Sequence, residues 1–363
     1  MRLEWTEGEI VRMDPVADSK PELPWLAPSL IDLQVNGFGG VDYQDPSLSI
    51  EDLEQSVDCL KHHGCGGSLV TLISDEWGAI LEKLRRLVRF RNSNPELKRF
   101  IRGWHIEGPF LSSEEGFRGA HRPEVMRDPG PEVVRELQSV VGSDPLLLTV
   151  APERRGAIEL IRQCRAEGIQ VSLGHSAASA RELGLAVEAG ARGITHLGNG
   201  CPQQWERHDN WFWTVVDCQG LYVGMIPDGI HLPERVFRGM HRALAGRNEI
   251  YYTTDAMAAA GAGVGCFPLA GLMLEVGEDQ VVRQPGQPNF AGSALCPIDG
   301  VTRAQRMLSA PWERVWNRFS RSPASLMGLD LHLRVGSDAR FCAVKLSDSG
   351  LIVGVDVYSA SLV

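Results

Sequence analysis

QVSLGHSAASARELGLAVEAGARGITHLGNG, residues 170–200, holds a whole strand–helix–strand unit, and its reading decides the fold. QVSLGHS (170–176) is a short apolar run that ends on a polar residue, His175. SARELGLAVEAG (179–190) is amphipathic and closes on glycine, as a helix C-terminus often does. GITHLGNG (193–200) repeats the first pattern, with His196 just past its apolar part. Two strands joined by a helix in this way form the repeating unit of a parallel sheet.

The same alternation runs outward in both directions from about residue 28. Strand-like runs precede the unit at SLIDLQVNG (29–37), GGSLVTLI (66–73), FIRGWHIEG (100–108) and LLLTVAPE (146–153). LYVGMIPDG (221–229) and IYYTTDAM (250–257) follow it, and amphipathic stretches such as EWGAILEKLRRLVRF lie between the runs. Eight strands with intervening helices match an α/β protein with a (β/α)8 TIM-type barrel, expected over residues 28–335. Residues 1–27, short and polar, break this rhythm, as do 268–285 and 336–363, which read as short strands. They are expected to form a small, reduced β-sandwich subdomain built from both chain ends and one insertion.

Five polar residues stand at or just beyond the C-terminal ends of the apolar runs: Glu107, His175, His196, His231 and Asp255. A barrel of parallel strands gathers such positions at one rim, where this architecture builds its chemistry. A catalytic ion of the zinc type takes about three protein ligands and leaves a position for water. Glu107, His175 and His196 supply one carboxylate and two imidazoles. Asp255 can take a proton from the attacking water and deliver it to a leaving amine, or it can cap the segment after it. His231 can donate a hydrogen bond to a carbonyl oxygen that gains charge, or it can be a surface histidine ahead of a helix. His105 shares a strand face with Glu107 and suits a supporting role. Asp32, Gln34 and Asn36 share one face of the first strand. Gln34 and Asn36 are neutral amides and poor zinc ligands, so one divalent metal is expected. Zn²⁺ suits the set, as do Fe²⁺ and Co²⁺.

The formal net charge of -10 argues against nucleic acid or an anionic membrane as the main partner. A small anionic substrate stays open, since a pocket follows its local field. Eight scattered cysteines without a CxxC pair suit buried thiols in a reducing compartment. With no signal-peptide core and no membrane-length apolar run, a cytoplasmic enzyme is expected.

Taken together, LIDLQVNGFGG, HIEGPFLS, GAHRPE, SLGHS, THLGNG, DGIHLP, TTDAMAAAG and FAGSAL resemble the N-acetylglucosamine-6-phosphate deacetylases of the amidohydrolase superfamily. The resemblance implies a metal-dependent (β/α)8 barrel that hydrolyses an acetamido sugar phosphate to the amine and acetate. It implies that Glu107, His175 and His196 bind the metal, that Asp255 is the acid and base, and that His231 stabilises the carbonyl. Gln34, Ala120 and His121 would help hold the site and sugar. Asn199, Gly200 and Arg207 would meet the phosphate, and Phe290, Ala291 and Gly292 would cover the sugar. A homodimer is implied, with the phosphate-gripping arm able to come from the partner subunit. The chain departs from the pattern after His196, where GNGCPQQWERHDN replaces the usual opening and close of that loop. An alternative on the same barrel is therefore a deacylase of an unphosphorylated N-acyl amino sugar or N-acyl amino acid.

Overall fold

The structure, a computed structural model, describes residues 2–15, 23–286 and 290–358. Parts of the expected terminal β segments, at residues 1, 16–22 and 359–363, lie outside the described residues.

Eight strands follow one another in chain order around one parallel sheet. They are β1 (Leu30–Val35), β2 (Cys65–Ile73), β3 (Ile101–Glu107), β4 (Leu146–Val150), β5 (Gln170–Leu173), β6 (Gly193–Ile194), β7 (Tyr222–Met225) and β8 (Glu249–Tyr252). Helices fill the connections: α1 (Ile50–His62), α2 (Trp77–Ser93), α3 (Val133–Val141) and α4 (Ala157–Ala166) in the first half. α5 (Ala180–Ala189), α6 (Trp211–Asp217), α7 (Glu234–Leu244) and α8 (Pro297–Leu308) complete the ring. This is the expected (β/α)8 barrel. Every residue of β1 and of β4 is buried, because helices cover one face and the barrel interior the other.

The unit at 170–200 shows how sequence makes each piece. Ser179 accepts from the backbone of Glu182, whose side chain returns the bond, a capping box that starts α5. Leu183, Ala186 and Ala189 give the helix its buried face, and Gly190, at φ 131, ends it. β5 and β6 then pair in parallel with Ser172 opposite Gly193. β6 is only two residues long, although the apolar run continues to Leu197. The chain leaves the ladder because His196 adopts φ 26 and turns its side chain over the rim.

The ring closes between β8 and β1 through a side chain. Asp32 on β1 accepts from Thr253 Oγ1 at 2.5 Å, Thr254 Oγ1 at 2.6 Å and the Thr254 amide at 3.1 Å. Beyond the strand ends the Asn36 amide donates to the Ala256 carbonyl at 2.7 Å. Asp32 is fully buried, and burial pushes its carboxyl up to about 6 against the pull of these donors. Replacing it strands the donors of two threonines inside the barrel. Asp32→Ala is expected to lower the unfolding free energy by about 2–4 kcal/mol, read as a shifted urea midpoint at unchanged slope. A shift under about 0.5 kcal/mol would remove Asp32 from the account of closure.

The chain ends pair beside the barrel. Phe341–Leu346 lies antiparallel between Trp25–Pro28 and Ile352–Tyr358. The hairpin of Arg2–Thr6 and Glu9–Asp14 packs on this sheet through Trp5, edge-on to Phe341 at 5.4 Å. The insertion grouped above with the chain ends forms a sheet of its own, from Gly265–Leu269, Leu272–Val276 and Val282–Arg283. It sits at the barrel mouth, where the Ala270 amide donates to Asp42 Oδ2 at 2.8 Å.

Candidate active site and metal-binding cluster

A cavity of about 630 Å³ opens at the C-terminal ends of the strands, and all five strand-end residues line it. His175, His196 and Asp255 have φ values of 49, 26 and 52, left-handed backbone that non-glycine residues seldom adopt. Such positions cost about 1–3 kcal/mol each and persist where the surroundings over-determine them. Here they turn three side chains from separate strands toward one point.

That point is Glu107, the last residue of β3. Its Oε1 lies 3.0 Å from His196 Nε2 and 3.4 Å from His175 Nε2. One donor atom from each of the three residues lies within 4.8 Å of the others, a group that could hold a metal ion. Burial raises the Glu107 carboxyl, but hydrogen bonds and charge from the two histidines outweigh it and hold it well below the usual carboxylate range. Burial draws His196 down, yet the bond to Glu107 and the charges of Glu107 and Asp255 leave it raised. His175 places Nδ1 2.9 Å from the Phe117 carbonyl, which makes Nδ1 a donor and turns Nε2 toward Glu107, where an ion would replace its proton. A carboxylate and two imidazoles, one with its tautomer set this way, are the donor chemistry that zinc-type ions take. The residues fit such an ion.

The other side chains support this centre. Gln34 Nε2 donates to Glu107 Oε1 at 3.0 Å. Asn36 Nδ2 donates to Asp255 Oδ1 at 2.7 Å and so aims that carboxylate across the barrel seam. Burial pushes Asp255 up to about 6. His231 is held by Asp228, whose Oδ2 lies 2.6 Å from its Nδ1 and whose Oδ1 accepts the His231 amide. Its ring meets Phe290 edge-on at 5.1 Å. Ala291 and Gly292 continue from Phe290 along the wall, fastened by the Ser293 amide to the Asp255 carbonyl at 2.8 Å. Asn199 and Gly200 line the opposite side, with the Asn199 side chain donating to the His196 carbonyl at 3.2 Å. Gly200 has φ 59, and a Cβ there would stand 2.5 Å from His175 Nδ1, so only glycine lets this loop lie on the histidine.

His121 and Arg207, both carried on loops, stand in different surroundings. His121 and its neighbour Ala120 line the cavity, but His121 turns to Glu107, with Nε2 3.7 Å from Oε2. It is buried edge-on to His175, and burial together with the charge of His175 pushes it down to about 3, so it faces the centre as a neutral imidazole. Arg207 does not line the cavity of its own chain and lies on an exposed loop. His105 turns its Nε2 to Thr149, whose hydroxyl continues through Thr195 to Ser172 as a buried polar chain.

Three contributors escaped sequence reasoning. Asp228 stands three residues before His231 in PDGIH, a spacing that a turn argument could have flagged. Glu153 accepts from Ser176 Oγ and the Ala177 amide and so pins the loop that carries His175. The Phe117 carbonyl left no signal in the sequence, since a backbone acceptor has no residue type.

A barrel whose strand ends converge on a Glu–His–His cluster beside a buried aspartate is the arrangement of an amidohydrolase. No family model matches the chain. It is 32% identical over 339 residues to the N-acetylglucosamine-6-phosphate deacetylase of Rattus norvegicus, covering 89% of this chain and 80% of that one. It is 28% identical to the N-acetylgalactosamine-6-phosphate deacetylase of Escherichia coli O157:H7, covering 97% and 92%. Among solved structures it superposes with a TM-score of 0.84 on a mutant N-acetyl-D-glucosamine-6-phosphate deacetylase from Mycobacterium smegmatis, bound to N-acetyl-D-glucosamine-6-phosphate. That match has 27% identity and covers 98% of this chain and 92% of the other. The chain belongs to the N-acetylglucosamine-6-phosphate deacetylase family. These names agree with a phosphorylated amino sugar and do not fit the unphosphorylated N-acyl alternative.

Proposed function

We propose that the protein hydrolyses the acetamide of N-acetylglucosamine 6-phosphate, releasing acetate and glucosamine 6-phosphate. The observation that carries this reading is the meeting of Asp255 with the Glu107–His175–His196 cluster in one cavity of a family member. Those three residues would hold one divalent ion, with zinc as the assigned metal. When bound, such an ion polarises the acetyl carbonyl and acidifies a water beside it. Asp255 takes a proton from the attacking water as the water oxygen bonds to the carbonyl carbon. It then delivers the proton to the nitrogen as the carbon–nitrogen bond breaks. His231, its Nδ1 engaged by Asp228, presents Nε2 to the carbonyl oxygen as negative charge grows there. Asn36 keeps Asp255 in line, while Phe290, Ala291 and Gly292 cover the sugar. His121 belongs with the site's support as well as with the sugar, given its approach to Glu107.

The eight cysteines are all free, which suits a reducing cytoplasm. Among the described residues no helix is long and apolar enough to cross a membrane. The proposal includes a homodimer, as the family resemblance implies.

The test is acetate release from N-acetylglucosamine 6-phosphate, its galacto epimer and the unphosphorylated sugar, run with metal analysis of the same sample. The gluco phosphate is expected to be the best substrate, at one ion per chain. Metal-loaded protein that frees no acetate from it at neutral pH would overturn the reading.

A further inference from the structure

Four polar side chains form a hydrogen-bonded line inside the barrel, next in sequence or register to the three cluster residues. His105 Nε2 lies 2.8 Å from Thr149 Oγ1, which lies 2.9 Å from Thr195 Oγ1, and Thr195 donates to Ser172 Oγ at 2.7 Å. None of the four is more than 3% exposed. They come from β3, β4, the residue just past β6, and β5, so the line steps over β5 between Thr149 and Thr195. Gly174 makes that step possible, since a Cβ there would stand 2.9 Å from Thr195 Cβ and 3.2 Å from Thr149 Cγ2.

The line has one direction. A hydroxyl carries a single proton. Thr195 gives its proton to Ser172, so Thr149 gives its own to Thr195, and the donor left for Thr149 is the Nε2–H of His105. Each ligand of the cluster adjoins this line. His105 stands two residues before Glu107 on β3, and Thr149 is the register partner of Glu107. Gly174 precedes His175, and Thr195 precedes His196. Thr195 is held once more through its amide, which donates to the Leu173 carbonyl at 2.9 Å. One residue later His196 takes φ 26, a conformation that persists where its surroundings over-determine it.

We propose that His105 is a positioning residue for the metal site. Through Thr149 and Thr195 it fixes the backbone turn that aims His196, and with it the donor geometry of the cluster. This rests on the reading above that Glu107, His175 and His196 hold the ion. Ligands that are already fixed lose less freedom when an ion arrives, so they bind it more tightly. Hydrogen bonds that orient metal ligands from behind carry about 10- to 100-fold in metal affinity.

The experiment measures the Zn²⁺ dissociation constant of the chelator-stripped full chain by competition with a chelator of known affinity. His105→Phe keeps a ring and removes the donor, while Thr195→Val removes the relay. Each is expected to weaken Zn²⁺ binding by about 10- to 100-fold. His105→Gln, whose Nε2 can donate in the same place, should restore most of the affinity. Combining His105→Phe with Thr195→Val should weaken binding little beyond either change alone, since one line is then broken twice. The proposal is overturned if both single variants bind Zn²⁺ as the wild type does. It is also overturned if His105→Gln loses as much affinity as His105→Phe, or if the two single losses simply add, because the donor would then not act through Thr195. Wild-type protein that takes up no ion marks failure of the cluster reading, and the proposal falls with it. Wild type that binds an ion and frees no acetate marks failure of the deacetylase reading alone.

Discussion

Asp255→Asn lowers kcat for acetate release by about 10²–10⁴-fold, the span general acid–base catalysis supplies, while one metal ion per chain is retained. The asparagine has nearly the same shape, so the cluster at Glu107 is untouched. What goes is the group that carries a proton between water and nitrogen. Retained metal with lost turnover separates this role from ligation. A variant that keeps wild-type kcat would give the proton to another residue. The pH profile supplies a second check. Asp255 must be ionised to accept a proton, and burial pushes its carboxyl up to about 6. A bound divalent cation nearby draws it down from there. The rate should therefore fall on the acid side, about tenfold per pH unit below a midpoint at or under 6, and the Asp255→Asn variant should lose that limb.

Glu107→Ala is expected to lose the metal and about 10³-fold or more of the activity together, since the ion's contribution is several kcal/mol. Glu107 Oε1 is the meeting point of His175, His196 and Gln34, so its removal leaves two imidazoles and an amide without their common acceptor. Chelator treatment of the wild type should reproduce the loss, and added Zn²⁺ should restore activity to the wild type and not to the variant. Stoichiometric metal in purified Glu107→Ala would place the ion elsewhere. A second outcome is expected in solution. In the metal-free protein His196 is raised by the Glu107 carboxylate, so its proton affinity should be lower in the variant than in chelator-treated wild type, visible in its imidazole resonances.

The catalytic cluster was legible in the sequence because a parallel barrel makes the end of every strand equivalent. Glu107, His175, His196, His231 and Asp255 each follow a short apolar run, and chain order alone carries them to one rim. α5 was equally plain, since helical spacing and its closing Gly190 are local signals. What stayed hidden depends on neighbours far away in sequence. Asp32 looked like one more polar residue on the face of Gln34 and Asn36. Its partners, Thr253 and Thr254, lie more than 200 residues on, and only closure of the ring brings them together. The brevity of β6 was hidden as well, because an apolar run shows burial and not where the backbone turns. His121 could be placed at the cavity but not aimed, since a loop side chain is oriented by packing that no local pattern encodes. Arg207 was carried to the phosphate by resemblance. It lies outside the cavity lining of its own chain, as an arm that serves a partner subunit would.

The seam between β1 and β8 ties chemistry to completion of the molecule. Asn36 and Asp255 belong to opposite margins of the sheet, 219 positions apart, and their hydrogen bond forms across the line along which the ring shuts. A nascent chain that has built β1 to β7 already owns the histidines and glutamate of the cluster, yet its proton carrier has not arrived. Hydrolytic competence therefore requires that margin to be closed. A lesion at Asp32 that opened the margin would part Asn36 from Asp255 and so cost activity as well as stability.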